Sequence, residues 1–327
     1  MVASSAVDDG TRERRSPLPP ATRRRLYLYL LPLVGCPFLL LAAALLILPS
    51  QWFALRSKNT YLINVAYGAK LYGANCQVLV YGDSSAMVGI DPSVIRARTG
   101  LSTCNIAEFQ PMTMLNGTML LDTYLEHNTA PRFLVFYFAP EDLDPQSQHN
   151  GPFEAIVYRM RRPHKLASLV DLALHHPNEL ITWVEQGLRF TLINLFNKPA
   201  SLEVQHLRDR TSGQLPMTSS SLTECDNLVR DAPPDKAWIA GLRSKYGRAG
   251  TTVLVDATPL ATCDPSLRFF QQQLPGVIDN QLETLPISVY VVDGRLHVNA
   301  EGSAHLSNML AKQIEEHLSS ESLAGAH

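Results

Sequence analysis

Hydrophobic residues along this chain form one long uninterrupted run and, after it, a series of short ones. The long run covers residues 26–48, which contain no charged side chain. As a helix it would be about 34 Å long, which is enough to cross a lipid bilayer. The shorter runs have the length of buried β-strands and are separated by polar segments with helical spacing. The pattern predicts an N-terminal membrane helix followed by a folded domain.

The short apolar runs predict the strands of that domain. They are QVLVYGDSS (77–85), LSTCNIA (101–107), RFLVFYF (132–138), TTVLVDA (251–257) and PISVYVV (286–292). Predicted helices lie between and after them, at 91–100, 111–128 and about 300–318. The first of these helices has Asp91 as its N-cap, Pro92 at its first position and Gly100 as its stop signal. Strands that are apolar on both faces and alternate with helices indicate an α/β fold with a parallel sheet covered on both sides.

The last predicted helix has a clear apolar side. Its stripe consists of Leu306, Met309, Leu310, Ile314 and Leu318, and Asn299 stands at its start as a cap. We expect this helix to pack on the sheet.

More than a hundred residues separate the third strand from TTVLVDA, far more than the few residues that normally join a strand to a helix. We therefore predict an insertion at about 150–235. Its first part, 152–197, is amphipathic and predicts helices, whereas 198–234 is polar and predicts a loop. A basic cluster at 159–165 is compatible with anionic lipid or an acidic glycan, and also with an ordinary solvated helix end.

Composition narrows the class of protein. The 327 residues are 46% hydrophobic and 18% charged, which excludes a disordered chain. The 28 basic and 30 acidic residues nearly balance, which argues against a nucleic-acid-binding protein. No cysteine and histidine spacing indicates a metal site, and no motif indicates a cofactor.

The basic residues are concentrated at the start of the chain. Six arginines lie in residues 1–25, directly before the apolar run. The positive-inside rule then places this tail in the cytoplasm and residues 49–327 outside the membrane. A cleavable signal peptide fits less well, because its apolar region would normally be only about 7–15 residues long.

Five cysteines are compatible with an oxidising compartment. Cys36 lies in the apolar run, which leaves an even number, and these allow three pairings. Cys76 with Cys104 and Cys225 with Cys263 is the local pairing. Four buried free thiols are the alternative, since free cysteine is often buried.

Two motifs carry the chemistry. In VLVYGDSSAM (78–87), Ser84 follows a predicted strand in a tight turn before a helix, which presents its hydroxyl at the carboxyl edge of the sheet. In VVDGRLHVNAEGSAHLSNMLA (291–311), Asp293 and His297 precede the last helix. A serine hydroxyl becomes nucleophilic when an imidazole accepts its proton and a carboxylate orients that imidazole. The structural alternative is that these residues only cap helices and complete turns.

Together the two motifs resemble the SGNH (GDSL) hydrolase family. The resemblance covers about 76–145 and 251–318 and implies a three-layer, flavodoxin-like α/β fold. It implies Ser84 as the nucleophile, with its backbone N–H as an oxyanion donor, and His297 and Asp293 as general base and orienting carboxylate. Asp83, Asn105 and Gln110 are further candidates for oxyanion or substrate contacts.

Three positions depart from the family pattern. Asp293 stands four residues before His297 rather than three, and the stretch 105–110 holds no glycine to supply a second oxyanion N–H. Where the family has an oxyanion-binding asparagine, this chain has Pro140, Glu141 and Asp142. A carboxylate there would repel an oxyanion unless it turns away, in which case Asn105, Gln110 or Asn116 would have to substitute.

The resemblance and the predicted topology together indicate a function. We expect a single-pass protein of a bacterial inner membrane with a periplasmic domain, acting as an esterase or O-acyltransferase on an acylated glycan. Subunits of a polysaccharide synthesis or export machine would be its partners. The alternatives are a non-catalytic binding or assembly protein of such a machine and a lipase that uses the insertion at the bilayer.

Overall fold

The computed structural model describes residues 20–47, 50, 67–68, 70–108, 118–144, 201–247, 250–292 and 294–324, with a few further positions between 170 and 185. Its helices are α1 (Pro20–Ile47), α2 (Ser84–Gly89), α3 (Pro92–Thr99), α4 (Met119–His127), α5 (Ser201–Arg210), α6 (Lys236–Tyr246), α7 (Leu267–Gln273) and α8 (Ala300–Ala324). Its strands are β1 (Val78–Gly82), β2 (Thr103–Asn105), β3 (Phe133–Phe138), β4 (Thr252–Ala257), β5 (Leu260–Ala261), β6 (Thr284–Leu285), β7 (Tyr290–Val291) and β8 (Gly294–Val298). Short 3₁₀ turns cover Pro140–Leu143 and Ile287–Val289.

Four of the strands form the central sheet, in the order β2-β1-β3-β4. All of its pairs are parallel, and β1 and β3 are buried along their whole length. The predicted α/β fold with a parallel sheet is therefore confirmed. The chain places β2 on one side of β1 and then β3 on the other side, so the strand order reverses between β1 and β3. Open α/β sheets bind ligands at such a point.

Helices cover both faces of this sheet. On one face, α6 packs on β3 through Tyr246 and Phe136, whose ring centroids are 5.6 Å apart, and Tyr246 also donates to Asp122 of α4. On the opposite face lies α8, whose predicted apolar stripe packs in the core as expected. Arg98 of α3 forms an ion pair with Glu315 of α8 at 2.5 Å. Alternate residues of each buried strand therefore contact different helices, which explains the continuous apolar runs.

Three predicted helix boundaries are confirmed by their caps. The Asp91 side chain accepts from the Ser93 N–H at 2.8 Å, and Gly100 ends α3 in the left-handed conformation at φ 70°. At the start of α8, Asn299 Oδ1 accepts from the Gly302 N–H. Helix α6 was missed by the sequence analysis, although Asp235 caps it with two hydrogen bonds.

The segment 286–292 was predicted as a further strand of the parallel sheet, and this prediction is wrong. It forms a 3₁₀ turn and then β7, which pairs antiparallel with β8 outside the main sheet. The outer edge of β4 is already occupied, because Asp279 and Asn280 accept hydrogen bonds from the Val255 and Ala257 N–H groups. An edge closed by side chains offers no place for another strand.

The prediction that 198–234 is a loop is wrong over its first part, where α5 lies. This helix and the turn after it cover the free edge of β2: the Asn105 N–H donates to the Ser212 carbonyl at 2.9 Å. Arg208 is buried and donates to the carbonyls of Asn105, Ala107 and Gly213. A polar helix face that satisfies buried carbonyls carries no apolar periodicity, which is why the sequence pattern missed it. The rest of the segment, from 214 to 234, contains neither helix nor strand beyond one isolated bridge at Ser221, as expected for a loop.

Both locally predicted disulfides are formed. Cys76 is bonded to Cys104, and Cys225 to Cys263, while Cys36 is free. The first disulfide joins the entry to β1 to strand β2. The second ties the loop before α6 to the loop after β5.

Residues 26–47 of the N-terminal apolar run lie in α1, which extends from Pro20 to Ile47. Among the described residues, no helix combines the length and the apolarity that a membrane crossing needs. Most of the predicted helical part of the insertion, its basic cluster at 159–165 and the start of the helix predicted at 111–128 lie outside the described residues.

Candidate active site

Ser84 stands at the carboxyl end of β1, beside the point where the strand order reverses. Gly82 ends the strand opposite Tyr137, and a Cβ at Gly82 would come within 1.8 Å of the Tyr137 carbonyl oxygen. Only glycine lets the two strand ends lie this close. Asp83 then caps α2, and Ser84 is its first residue, half-buried, with an N–H that has no acceptor within the helix.

His297 reaches this serine from a distant part of the sequence. It lies on β8, and its Nε2 is 2.9 Å from Ser84 Oγ, which is hydrogen-bonding distance. The His297 side chain is largely buried, and its neighbours Leu296 and Val298 on β8 are buried in the core. The structure thus brings together the two residues that the sequence pairs as nucleophile and general base.

Three predicted residues have no described position. Asp293, the candidate orienting carboxylate, lies outside the described residues, as do Gln110 and Asn116. Of the three residues predicted as nucleophile, base and orienting carboxylate, the structure therefore describes Ser84 and His297.

Asp83 has a structural task that the sequence analysis did not foresee. Its carboxylate is buried and accepts three hydrogen bonds: from the Ser85 N–H at 2.8 Å, from Ser85 Oγ at 2.6 Å and from the Ala139 N–H at 2.6 Å. Both oxygens are thus engaged in joining the turn at Ser84 to the end of β3. These bonds are internal to the fold, and the expected contact of Asp83 with substrate or oxyanion stays a prediction.

Asn105 is likewise engaged within the fold. Its amide Nδ2 donates to the carbonyls of Ala86 and Ile90 at 2.8 and 3.0 Å, and its Oδ1 accepts from the Ala107 N–H. Both amide donors are thus used within the fold, and the contact of Asn105 with an oxyanion stays a prediction.

The backbone after β2 offers no oxyanion donor within residues 105–108. The Asn105 N–H donates to Ser212, that of Ile106 to the Val80 carbonyl, that of Ala107 to Asn105 and that of Glu108 to the Gly82 carbonyl. The Ser84 N–H, at the first position of α2, has no acceptor within the helix and is a candidate oxyanion donor.

Glu141, in the 3₁₀ turn after β3, has a defined side-chain partner. Glu141 Oε1 accepts from Arg295 Nη1 at 2.6 Å, and Arg230 lies 3.9 Å from the same oxygen. Burial raises the pKa of Glu141, and the Arg295 guanidinium opposes that shift. The charge that would repel an oxyanion is therefore paired with a cation from β8.

A buried hydroxyl network lies under the turn. Ser85 Oγ is 2.6 Å from Thr258 Oγ1, which follows β4. Tyr137 of β3 is also buried, and its pKa is raised well above 10 by burial and by the nearby Asp256 carboxylate. These groups connect the ends of three strands beneath Ser84.

Two cavities flank the site region. One, of about 330 Å³, is bordered by Arg295, Asp264 and Arg230, and the Cys225 side of the second disulfide forms part of its wall. The other, of about 350 Å³, lies between α8 and the segment after α7, next to Asp256. In the described ranges, no group of three or more His, Cys, Asp or Glu side chains is placed to hold a metal ion.

Glu108, next to the Ser84 turn, titrates abnormally. Its carboxyl is buried, and burial raises its pKa to about 8, with Arg208 opposing the shift. The folded chain thus keeps a proton that the unfolded chain loses near its ordinary pKa of 4.5. The stability that this group contributes is complete below about pH 4.5 and is lost as the pH rises towards 8, by up to about 1.4 kcal/mol per pH unit.

Glu108→Gln should remove this dependence, because glutamine does not titrate. We expect the free energy of unfolding of the variant, relative to the unmodified chain, to increase between pH 5 and pH 8. Urea unfolding followed by tryptophan fluorescence measures it. Glu203→Gln, an exposed glutamate on α5, is the control and should give a constant difference. If the free energies of unfolding of Glu108→Gln and of the unmodified chain change equally with pH, the buried-carboxyl interpretation is contradicted.

Comparisons with known proteins add no relative. No protein-family model, no curated protein and no solved structure matches this chain.

Proposed function

We propose that this protein is a serine esterase or O-acyltransferase of the SGNH type. The observation that carries the proposal is the 2.9 Å contact between His297 Nε2 and Ser84 Oγ at the carboxyl end of β1. The strand order, with its reversal between β1 and β3, is the flavodoxin-like order over the four strands described, which fits this family's fold.

In the proposed mechanism, His297 accepts the proton of Ser84 Oγ while the oxygen attacks the carbonyl carbon of an ester. The tetrahedral oxyanion receives a hydrogen bond from the Ser84 N–H. His297 then gives the proton to the leaving alcohol, and the acyl group remains on Ser84. Water or a sugar hydroxyl, deprotonated by His297, attacks the acyl-enzyme and releases an acid or a new ester.

The pairing of Glu141 with Arg295 supports catalysis at this site. An unpaired carboxylate next to the oxyanion would cost transition-state stabilisation, since even the loss of one donor costs about 2.7–4 kcal/mol. Arg295 lies 2.6 Å from the Glu141 carboxylate and Arg230 lies 3.9 Å from it, so two nearby cations oppose the negative charge of Glu141. The acidic departure from the family pattern is therefore compatible with an oxyanion.

The substrate class and the location rest on the sequence. The charge-free run at 26–48 behind an arginine-rich tail supports a single-pass anchor in a bacterial inner membrane, with residues 49–327 on the periplasmic side. Two disulfides agree with an oxidising compartment. An acylated glycan is the substrate that suits such a placement, with polysaccharide synthesis or export subunits as partners.

A second candidate, a non-catalytic glycan-binding or assembly protein, is favoured by one observation. All four backbone N–H groups of 105–108 are already bonded within the fold, so this stretch gives the oxyanion no second donor. An SGNH-like fold without activity would keep the serine and histidine contact and lack turnover.

Covalent labelling separates the two candidates. The full-length chain in detergent is treated with a fluorophosphonate, and the modified peptide is identified by mass spectrometry. We expect a single phosphonylated residue, Ser84, and no labelling in Ser84→Ala. Ser93→Ala, an exposed serine on α3, is the control and should label normally. A folded chain that does not react would support the binding protein.

A further inference from the structure

His297 is carried by an element with little backbone support. Strand β8 is outside the parallel sheet and, among the described residues, has β7 as its single partner strand, through Tyr290 with Val298 and Val291 with Gly294. A two-stranded pair is marginally stable by itself in water. The position of His297 must therefore depend on the side-chain contacts of β8.

The side chains of β8 alternate between two directions. Leu296 and Val298 are buried in the core. Arg295 and His297, which differ from them by one residue, share the opposite side, as the period of two requires. Arg295 is thus the neighbour of His297 on the face towards Ser84.

Arg295 binds two carboxylates from two different segments. Its Nη1 donates to Glu141 Oε1 at 2.6 Å, and its Nη2 to Asp264 Oδ2 at 2.5 Å. The exposed fractions of the three side chains are only 12% for Arg295, 15% for Glu141 and 4% for Asp264. Charge-assisted bonds shielded from water in this way fix geometry far better than surface ion pairs do.

Both partners of Arg295 are themselves held. Glu141 follows Ala139, whose N–H donates to Asp83 in the turn of Ser84 at 2.6 Å. Asp264 accepts from the Ser266 N–H at 2.9 Å and directly follows the disulfide-bonded Cys263. Arg295 therefore ties the strand of His297 to the turn of Ser84 and to a cross-linked loop.

We infer that Arg295 is a positioning residue, which holds His297 at hydrogen-bonding distance from Ser84 through its pairs with Glu141 and Asp264. The inference rests on the proposed function insofar as His297 acts as the base for Ser84. The sequence analysis did not identify Arg295, because residues 294–298 were not predicted as a strand that would place Arg295 on the same side as His297.

The test is the kinetics of fluorophosphonate inactivation, which separate reagent affinity (KI) from the rate of the chemical step (kinact). In the full-length chain, we expect Arg295→Ala to lower kinact by about 10- to 100-fold with KI unchanged, because a displacement of about 1 Å can cost about 10²-fold. Arg295→Lys should recover part of this rate, since lysine keeps the charge but bridges two carboxylates poorly. Arg243 of α6 also pairs with a carboxylate, that of Asp279 at 2.9 Å, but does not contact Ser84 or His297. Arg243→Ala should therefore leave kinact unchanged.

A double-mutant cycle shows whether Arg295 acts through His297. If it does, Arg295→Ala combined with His297→Ala should label no more slowly than His297→Ala alone. The inference would be overturned if the losses in kinact of the two single variants multiplied in the double variant, or if folded Arg295→Ala had an unchanged kinact. If Arg295→Ala does not fold, the same comparison made with Arg295→Lys decides.

Failure of the proposed function is recognised separately, as a folded unmodified chain that does not label. In that case the ring signal of His297, in a chain with ¹³C-labelled histidine and assigned from His297→Ala, gives the answer. A shifted or broadened signal in Arg295→Ala would support positioning, and an unchanged signal would overturn it.

Discussion

His297→Ala is expected to lower the rate of fluorophosphonate labelling at Ser84 by about 10²–10⁴-fold, the usual contribution of a general base. Without the imidazole at 2.9 Å, the serine proton has no acceptor, and a hydroxyl with an ordinary pKa is a weak nucleophile. The rate is measured by stopping the labelling reaction at successive times and recording the fluorescence of the protein band on a gel. Ser84→Ala gives the background.

His305→Ala provides the matched control for this prediction. His305 lies exposed on α8, with its Nε2 3.2 Å from Glu283 Oε2, so His305→Ala tests only the loss of a histidine. We expect the unmodified rate. Equal rates for His297→Ala and the unmodified chain would show that the observed contact does not activate Ser84, and would favour the binding-protein alternative.

The extent to which the fold could be predicted depends on whether local sequence determines each element. The buried strands β1, β3 and β4 are continuous apolar runs, and α3 begins and ends at residues whose caps follow directly from Asp91 and Gly100. The segment 286–292 is apolar like those strands but is not part of the central sheet, because Asp279 and Asn280 occupy the edge of β4. Periodicity cannot show which edge is already occupied.

In the candidate site, too, some residues have a local sequence signal and others do not. Ser84 and His297 could be predicted because each stands next to a strand end or helix start with a recognisable pattern. The tasks of Asp83, Asn105 and Glu141 could not be predicted, since each depends on a partner far along the chain: Ala139, Ala86 and Arg295. Polar side chains of one chemical type fill both site and scaffold positions, and only the three-dimensional contacts separate them.

Asp83→Asn should produce the largest loss of stability among the single-atom changes considered, by about 3 kcal/mol. Asn can still accept from the Ser85 N–H through its oxygen, but its NH₂ would then face the Ala139 N–H, which now donates to Asp83 at 2.6 Å. Two buried donors then face each other and neither has an acceptor there, which costs about 1–3 kcal/mol or more, and two further charge-assisted bonds are weakened.

Asp91→Asn is a stringent control, because Asp91 caps α3 with the same geometry, accepting from the N–H two residues ahead at 2.8 Å. Among the described residues, its second oxygen has no backbone donor comparable to Ala139, and asparagine is as good an N-cap as aspartate. We expect less than about 0.5 kcal/mol for this variant and a much larger loss for Asp83→Asn, both measured by urea unfolding. Labelling of Ser84 should fall with Asp83→Asn alone, since the same carboxylate ties the nucleophile's turn to β3. Equal stabilities would mean that the bond to Ala139 does not hold this turn in place.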